Sequence, residues 1–141
     1  MRNINEIIIH CAATKPSMDI GVDEIRDWHV NGNGWADCGY HRVIRRDGTI
    51  EQGRPLEIAG AHCYGHNGES VGICLVGGID EDGKSENNFT DEQFDSLERL
   101  VLEFLHDFPS IKKVSGHSDY ANKACPCFNV AEFLAKAGIE V

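Results

Sequence analysis

The chain has 141 residues, of which 41% are apolar, and it carries 13 basic against 23 acidic side chains for a formal net charge of −10. That length supports a single domain, expected to span 1–141, with a core that needs no disulfide staples, and the composition excludes a mainly disordered chain. The acidic balance argues against nucleic acid as the chief ligand, because such binding depends on neutralising phosphates.

The start, MRNINEIIIHC, places Glu6 near the N-terminus beside a short apolar run, which does not describe a secretory leader. No stretch approaches the roughly 18 apolar residues of a membrane span. The expectation is a chain made in the cytosol, not inserted in a membrane, with its cysteines reduced. EIIIH (Glu6 to His10) predicts a strand buried on both faces. Lys15 to Gly21 is a loop. Acidic Asp23 and Glu24, followed by a stop at Asn31 to Gly34, predict a helix of roughly three turns with Val22, Ile25, Trp28 and His29 near one side. Tyr40 to Arg46 reads as a strand, Asp47-Gly48 as a hairpin turn and Thr49-Ile50 as the return. SVGICLV (Ser70 to Val76) is the clearest strand, closed by Gly77-Gly78. The acidic stretch from Asp80 to Asn88 reads as a solvated loop, since its DEDG lacks the full ligand spacing of a calcium loop. TDEQ (Thr90 to Gln93) is a capping box opening an amphipathic helix that ends near Phe108-Pro109. Val114 belongs to a short strand, and Asn129 with Glu132 opens a last helix stopped by Gly138. Arg42, Arg45, Arg46 and the pair Lys112-Lys113 read as solvated charge. Alternating strands and helices predict an α/β fold, a central mixed β-sheet flanked by helices.

The chemistry-bearing residues cluster late, in GHSDYANKACPCF (Gly116 to Phe128). His117 and Cys125 share one loop, and two ligands do not fill a tetrahedral zinc site. His10 is the candidate third, at the carboxyl end of a buried strand, where α/β domains tend to place their sites. Two histidines, a thiolate and a water would form a catalytic zinc site. The same residues also fit a core histidine beside an inert buried thiol, and spacing alone leaves Cys125 and Cys127 equivalent. His106 reads as a surface residue of the long helix. Cys11, Cys63 and Cys74 read as small buried residues, and Cys38 suggests no chemistry.

Several segments resemble the zinc-dependent N-acetylmuramoyl-L-alanine amidases, the superfamily that includes the peptidoglycan recognition proteins, with the strongest likeness to phage lysozymes of the T-seven type. They are HCAATKPS (His10 to Ser17), GWADCGYHRVIRRDG (Gly34 to Gly48), SVGICLVGGIDEDGK (Ser70 to Lys84), NFT (Asn88 to Thr90) and KACPCF (Lys123 to Phe128), in family order across nearly the whole chain. The resemblance implies an amidase-like fold that binds one zinc ion per chain through His10, His117 and Cys125, with the K-x-C-P order selecting Cys125 over Cys127. It implies catalytic roles for Tyr40 and Lys123 and cleavage of the amide between the lactyl group of N-acetylmuramic acid and L-alanine, with zinc-activated water as the nucleophile. His62 matches a position near the substrate groove, and Trp35 and His66, with Asp37 and His29 behind them, are candidates to line it. His41 should face away from Tyr40 on a strand, and Asp119 either orients His117 or caps the loop.

The expected partner is peptidoglycan, and the expected state a monomer. The resemblance further implies an endolysin that waits in the host cytoplasm until a separate pore-forming protein opens the way to the wall. Three alternatives share parts of this pattern. Superfamily members that bind peptidoglycan without cutting it characteristically lose the cysteine ligand, which is present here. A muropeptide-recycling amidase shares the zinc chemistry. Some phage lysozymes of this type also bind their phage RNA polymerase, in part through the extreme N-terminus; with the first motif already at His10, that partner is disfavoured.

Overall fold

The computed structural model describes residues 1–141. β1 (Glu6–Cys11) is buried along its whole length, as a run of β-branched residues with cover on both faces requires. It pairs in parallel with β4 (Ser70–Leu75) on one side and with β5 (Lys113–Gly116) on the other. β2 (Arg42–Ile44) adds in parallel to β4 and turns back through Asp47-Gly48 into antiparallel β3 (Ile50–Gln52). The result is a mixed five-stranded sheet in the order β3-β2-β4-β1-β5, the α/β architecture expected.

Strand parity divides the sheet into two faces. Ile7, Ile9, Ile44, Val71, Ile73 and Leu75 point to one, where Leu97, Leu100, Val101 and Phe104 of α2 (Asp91–Asp107) complete the main core with Val130 of α3 (Val130–Ala137). Val43, Cys74 and Val76 point to the other, under Val22 and Ile25 of α1 (Val22–Asp27). The first helical segment runs from Val22 to Gly32 and stops where expected, but only its first part is α-helical. It opens at Trp28–Gly32 into a wider π-type turn, a deviation found frequently beside functional sites. Trp28, expected on the apolar side, is 42% exposed.

The capping box forms as predicted: Gln93 N donates to Thr90 Oγ1 at 3.1 Å and Thr90 N donates to Gln93 Oε1 at 3.0 Å. Gln93 is fully buried, and its amide also donates to the carbonyls of Ile44 and Val76, which stitches α2 to the sheet. Arg46, expected as solvated charge, is instead a structural tie, since it donates to Gln93 Oε1, Val76 O and Asn88 O. Arg42 lies over the ring of Phe104. Replacing Thr90 with alanine is expected to cost roughly 1–2 kcal/mol, the upper part of the range for a lost N-cap, because its hydroxyl also donates to Arg46 O. A urea titration should show a lower midpoint with an unchanged slope.

The last helix is capped by Asn129, whose side chain accepts from Glu132 N, and is stopped by Gly138 at φ 70°. In the acidic loop, Asp80 Oδ1 accepts from Asp82 N and Lys84 N, which closes a turn with the carboxylate already engaged. No helix is long and apolar enough to cross a membrane.

Candidate functional site

His10 follows Ile9 in β1, so parity turns it from the main core to the second face, where it is 1% exposed. Parallel β5 ends one residue before His117, which opens a single tight turn, His117–Asp119. Cys125 is tied to that turn and to β1 by two backbone bonds. Ser118 N donates to Cys125 O at 2.8 Å, and Cys11 N donates to Cys125 Sγ at 3.1 Å. One ligand atom from each of His10, His117 and Cys125 lies within 4.8 Å of the others, and the two Nδ1 atoms are 3.2 Å apart.

These residues fit a zinc ion. Nitrogen ligands about 2.0–2.1 Å from a tetrahedral zinc lie roughly 3.3 Å from one another, and two imidazoles with a thiolate suit its borderline-soft character. Three protein ligands leave one position open. Burial, reinforced by His62, His117 and the charge of Lys123, holds His10 well below the usual imidazole pKa; burial and then Lys123 lower His117. Both rings are therefore neutral at pH 7, the state in which imidazole ligates a metal.

Tyr40 lies beside this cluster, its ring centroid 5.2 Å from that of His10, and burial with the neighbouring thiols pushes its phenol well above the ordinary value. Lys123 is exposed on the loop that carries His117 and Cys125, near enough for its charge to act on both histidines. Trp35 is 37% exposed and packs on His29 at 4.6 Å, and His29 in turn meets Tyr40 at 5.6 Å. An aromatic row thus leads from solvent to the histidine cluster. Asp37 is engaged by Arg26 at 2.7 Å.

His62 is placed behind the cluster, with its Nδ1 2.8 Å from His10 Nε2. It is 8% exposed, and burial drives its pKa to about 3. Gly72 in β4 makes room for it, since a Cβ there would meet the imidazole at 2.7 Å. His66 stands farther out, stacked on Tyr120 with centroids 3.8 Å apart. His41 is fully buried and structural: its Nδ1 accepts from Gly72 N at 3.0 Å and its Nε2 lies 2.8 Å from Ile58 O. β2 begins only at Arg42, so strand parity does not extend back to Tyr40 and His41. Asp119 caps its loop by accepting from Gly116 N at 3.1 Å.

One anchoring network escaped sequence reasoning. Glu6 is 5% exposed and accepts from Ser115 Oγ at 2.7 Å and from Tyr120 Oη at 2.6 Å. Tyr120 sits midway between His117 and Lys123, so this bond pins the loop of His117 and Cys125 to β1. The parity of Glu6 with His10 was the available signal; the identity of its partners was not.

Residues 1–128 match the family model described as N-acetylmuramoyl-L-alanine amidase. The chain is 47% identical to an endolysin of Klebsiella phage KP32 over 132 residues, covering 94% of this chain and 86% of that protein. It is 46% identical to an endolysin of Escherichia phage T7 over 130 residues, covering 92% and 85%. Among solved structures it resembles the N-acetylmuramoyl-L-alanine amidase LysC from Clostridium intestinale, with a TM-score of 0.84 at 30% identity and coverage of 99% and 88%.

Proposed function

The chain belongs to the N-acetylmuramoyl-L-alanine amidase family and is a peptidoglycan hydrolase of the phage-endolysin type, and on that premise we propose that His10, His117 and Cys125 hold the zinc ion on which its amide hydrolysis depends. The observation that carries this reading is the convergence of the three ligand atoms within 4.8 Å, from residues 107 positions apart in His10 and His117. The bond cut is the amide between the lactyl group of N-acetylmuramic acid and L-alanine. Zinc bound there supplies Lewis acidity and lowers the pKa of a water ligand toward about 7.

The protein's own groups do the rest. His10 and His117 offer neutral nitrogens, and Cys125 a sulfur already met by the Cys11 N–H. The ammonium of Lys123 faces the negative charge that develops on the substrate carbonyl oxygen. Tyr40 keeps its proton at neutral pH, since an ordinary phenol titrates near 10 and burial raises this one further. Its role is then to orient the attacking water or hydrogen-bond the intermediate. Exposed Trp35, backed by half-buried His29, offers an aromatic wall along which substrate lies. Possession of the thiol, the phenol and the lysine together favours a cutting enzyme over a peptidoglycan-binding module. We also propose that it acts as a monomer and reaches the wall through a pore made by a separate protein, a reading supported by its endolysin relatives.

Purified protein should carry close to one zinc per chain. Incubated with murein it should release new L-alanine amino termini, and a chelator should stop the release until zinc is restored. Metal-free protein that cuts at full rate would sink the zinc reading, while cleavage yielding no L-alanine termini would sink the assignment of the bond.

A further inference from the structure

We infer that Ser70 and His62 form a positioning relay that fixes the tautomer of His10, so that its Nδ1 presents a lone pair to the metal; this rests on the zinc reading above. The hydrogen bonds leave one consistent assignment. Ser70 has a single hydroxyl proton, and it goes to His66 O, 2.6 Å away. Its oxygen is then free only to accept, so His62 Nε2, 3.2 Å away, carries the proton in that bond. A neutral imidazole has one N–H, so His62 Nδ1 is the acceptor. Its partner is His10 Nε2 at 2.8 Å, which must therefore donate. That leaves His10 Nδ1 unprotonated, and this is the atom lying 3.2 Å from His117 Nδ1 in the cluster.

The surroundings hold the relay in place. Ser70 is fully buried and opens β4, paired with Glu6 of β1, while His10 pairs with Cys74 four residues further along the same two strands. The His62 ring spans that interval above Gly72, where any side chain would collide with it. Its backbone is fixed as well, since Asn67 Oδ1 accepts from both His62 N and Cys63 N. His62 therefore cannot swing into the groove to touch substrate without breaking bonds on both ring nitrogens. Its position assigns it to the ligand, and makes the groove-lining role expected from the sequence the lesser reading. Partners of this kind set ring orientation and ligand basicity in metal sites.

The test uses the whole chain and two readouts other than activity. Nitrogen-15 NMR of the imidazoles should show His10 with its proton on Nε2 in metal-free wild type. Zinc affinity, measured by competition with a chromogenic chelator, should weaken by about 10–100-fold in His62→Leu, the range for loss of such a partner. His62→Gln, whose amide oxygen still accepts from His10 and whose NH2 still donates to Ser70, should retain most of the affinity and the His10 tautomer. Ser70→Ala frees His62 to reverse its proton, so a fraction of His10 should appear protonated on Nδ1, with affinity lowered by less than in His62→Leu. A wild-type His10 protonated on Nδ1 would overturn the relay whether or not zinc binds. Unchanged zinc affinity in a folded His62→Leu would overturn it while leaving the zinc reading intact.

Discussion

Cys125→Ser is expected to abolish zinc-dependent murein cleavage, whereas Cys127→Ser should retain most of it. Serine keeps the size but not the chemistry: its hydroxyl stays protonated at neutral pH, so the site loses both the anionic ligand and the soft donor. The loss should exceed the roughly 10–100-fold that changes to outer-shell partners cost, and metal content should fall with it. The contacts of the two sulfurs explain the contrast. Cys125 Sγ receives the Cys11 N–H at 3.1 Å and converges with the histidines. Cys127 Sγ donates to Gly78 O at 3.3 Å and sits 3.9 Å from Cys11 Sγ, and burial raises its thiol to about 11. It is a packing group that serine can imitate. Parallel measurements of bound zinc and L-alanine release on both variants decide the matter; a lethal Cys127→Ser beside an active Cys125→Ser would reverse the ligand assignment.

The parts of the fold legible in the sequence were those written in local spacing. EIIIH and SVGICLV announced buried strands by composition alone, and TDEQ announced a helix start that the structure reproduces bond for bond. The candidate ligands were legible for a different reason: His117 and Cys125 share a loop, and His10 ends a strand, so topology had only to bring two places together. What stayed hidden was partner choice between distant segments. His62 finds His10 across 52 positions, and Glu6 finds Tyr120 across 114. Arg46 looked like surface charge because nothing local records that the Val76 and Asn88 carbonyls and the Gln93 amide converge on it. Strand parity does not apply at His41, because it presumes a regular strand and β2 starts one residue later. Side-chain hydrogen bonding across loops depends on the assembled sheet, and no period in the sequence encodes it.

Lys123→Ala separates binding of the ion from stabilisation of the reaction. The side chain is exposed and makes no hydrogen bond to the ligands, so neither folding nor zinc content should change measurably. Its charge nevertheless reaches the cluster, since it contributes to lowering both His10 and His117. In a protein of net charge −10, that local cation is what a developing oxyanion would meet. Removing one such stabilising group costs about 100–1,000-fold in kcat, or roughly 2.7–4 kcal/mol. Because the charge on the carbonyl oxygen exists mainly in the transition state, kcat should fall while KM stays close to its original value. Lys123→Arg should restore part of the rate, limited by the different shape of the guanidinium. Kinetics on a soluble muropeptide, with zinc quantified in the same samples, provide the check. A zinc-replete Lys123→Ala enzyme with a kcat within threefold of the original would remove the lysine from the mechanism and leave the metal and Tyr40 to carry the oxyanion.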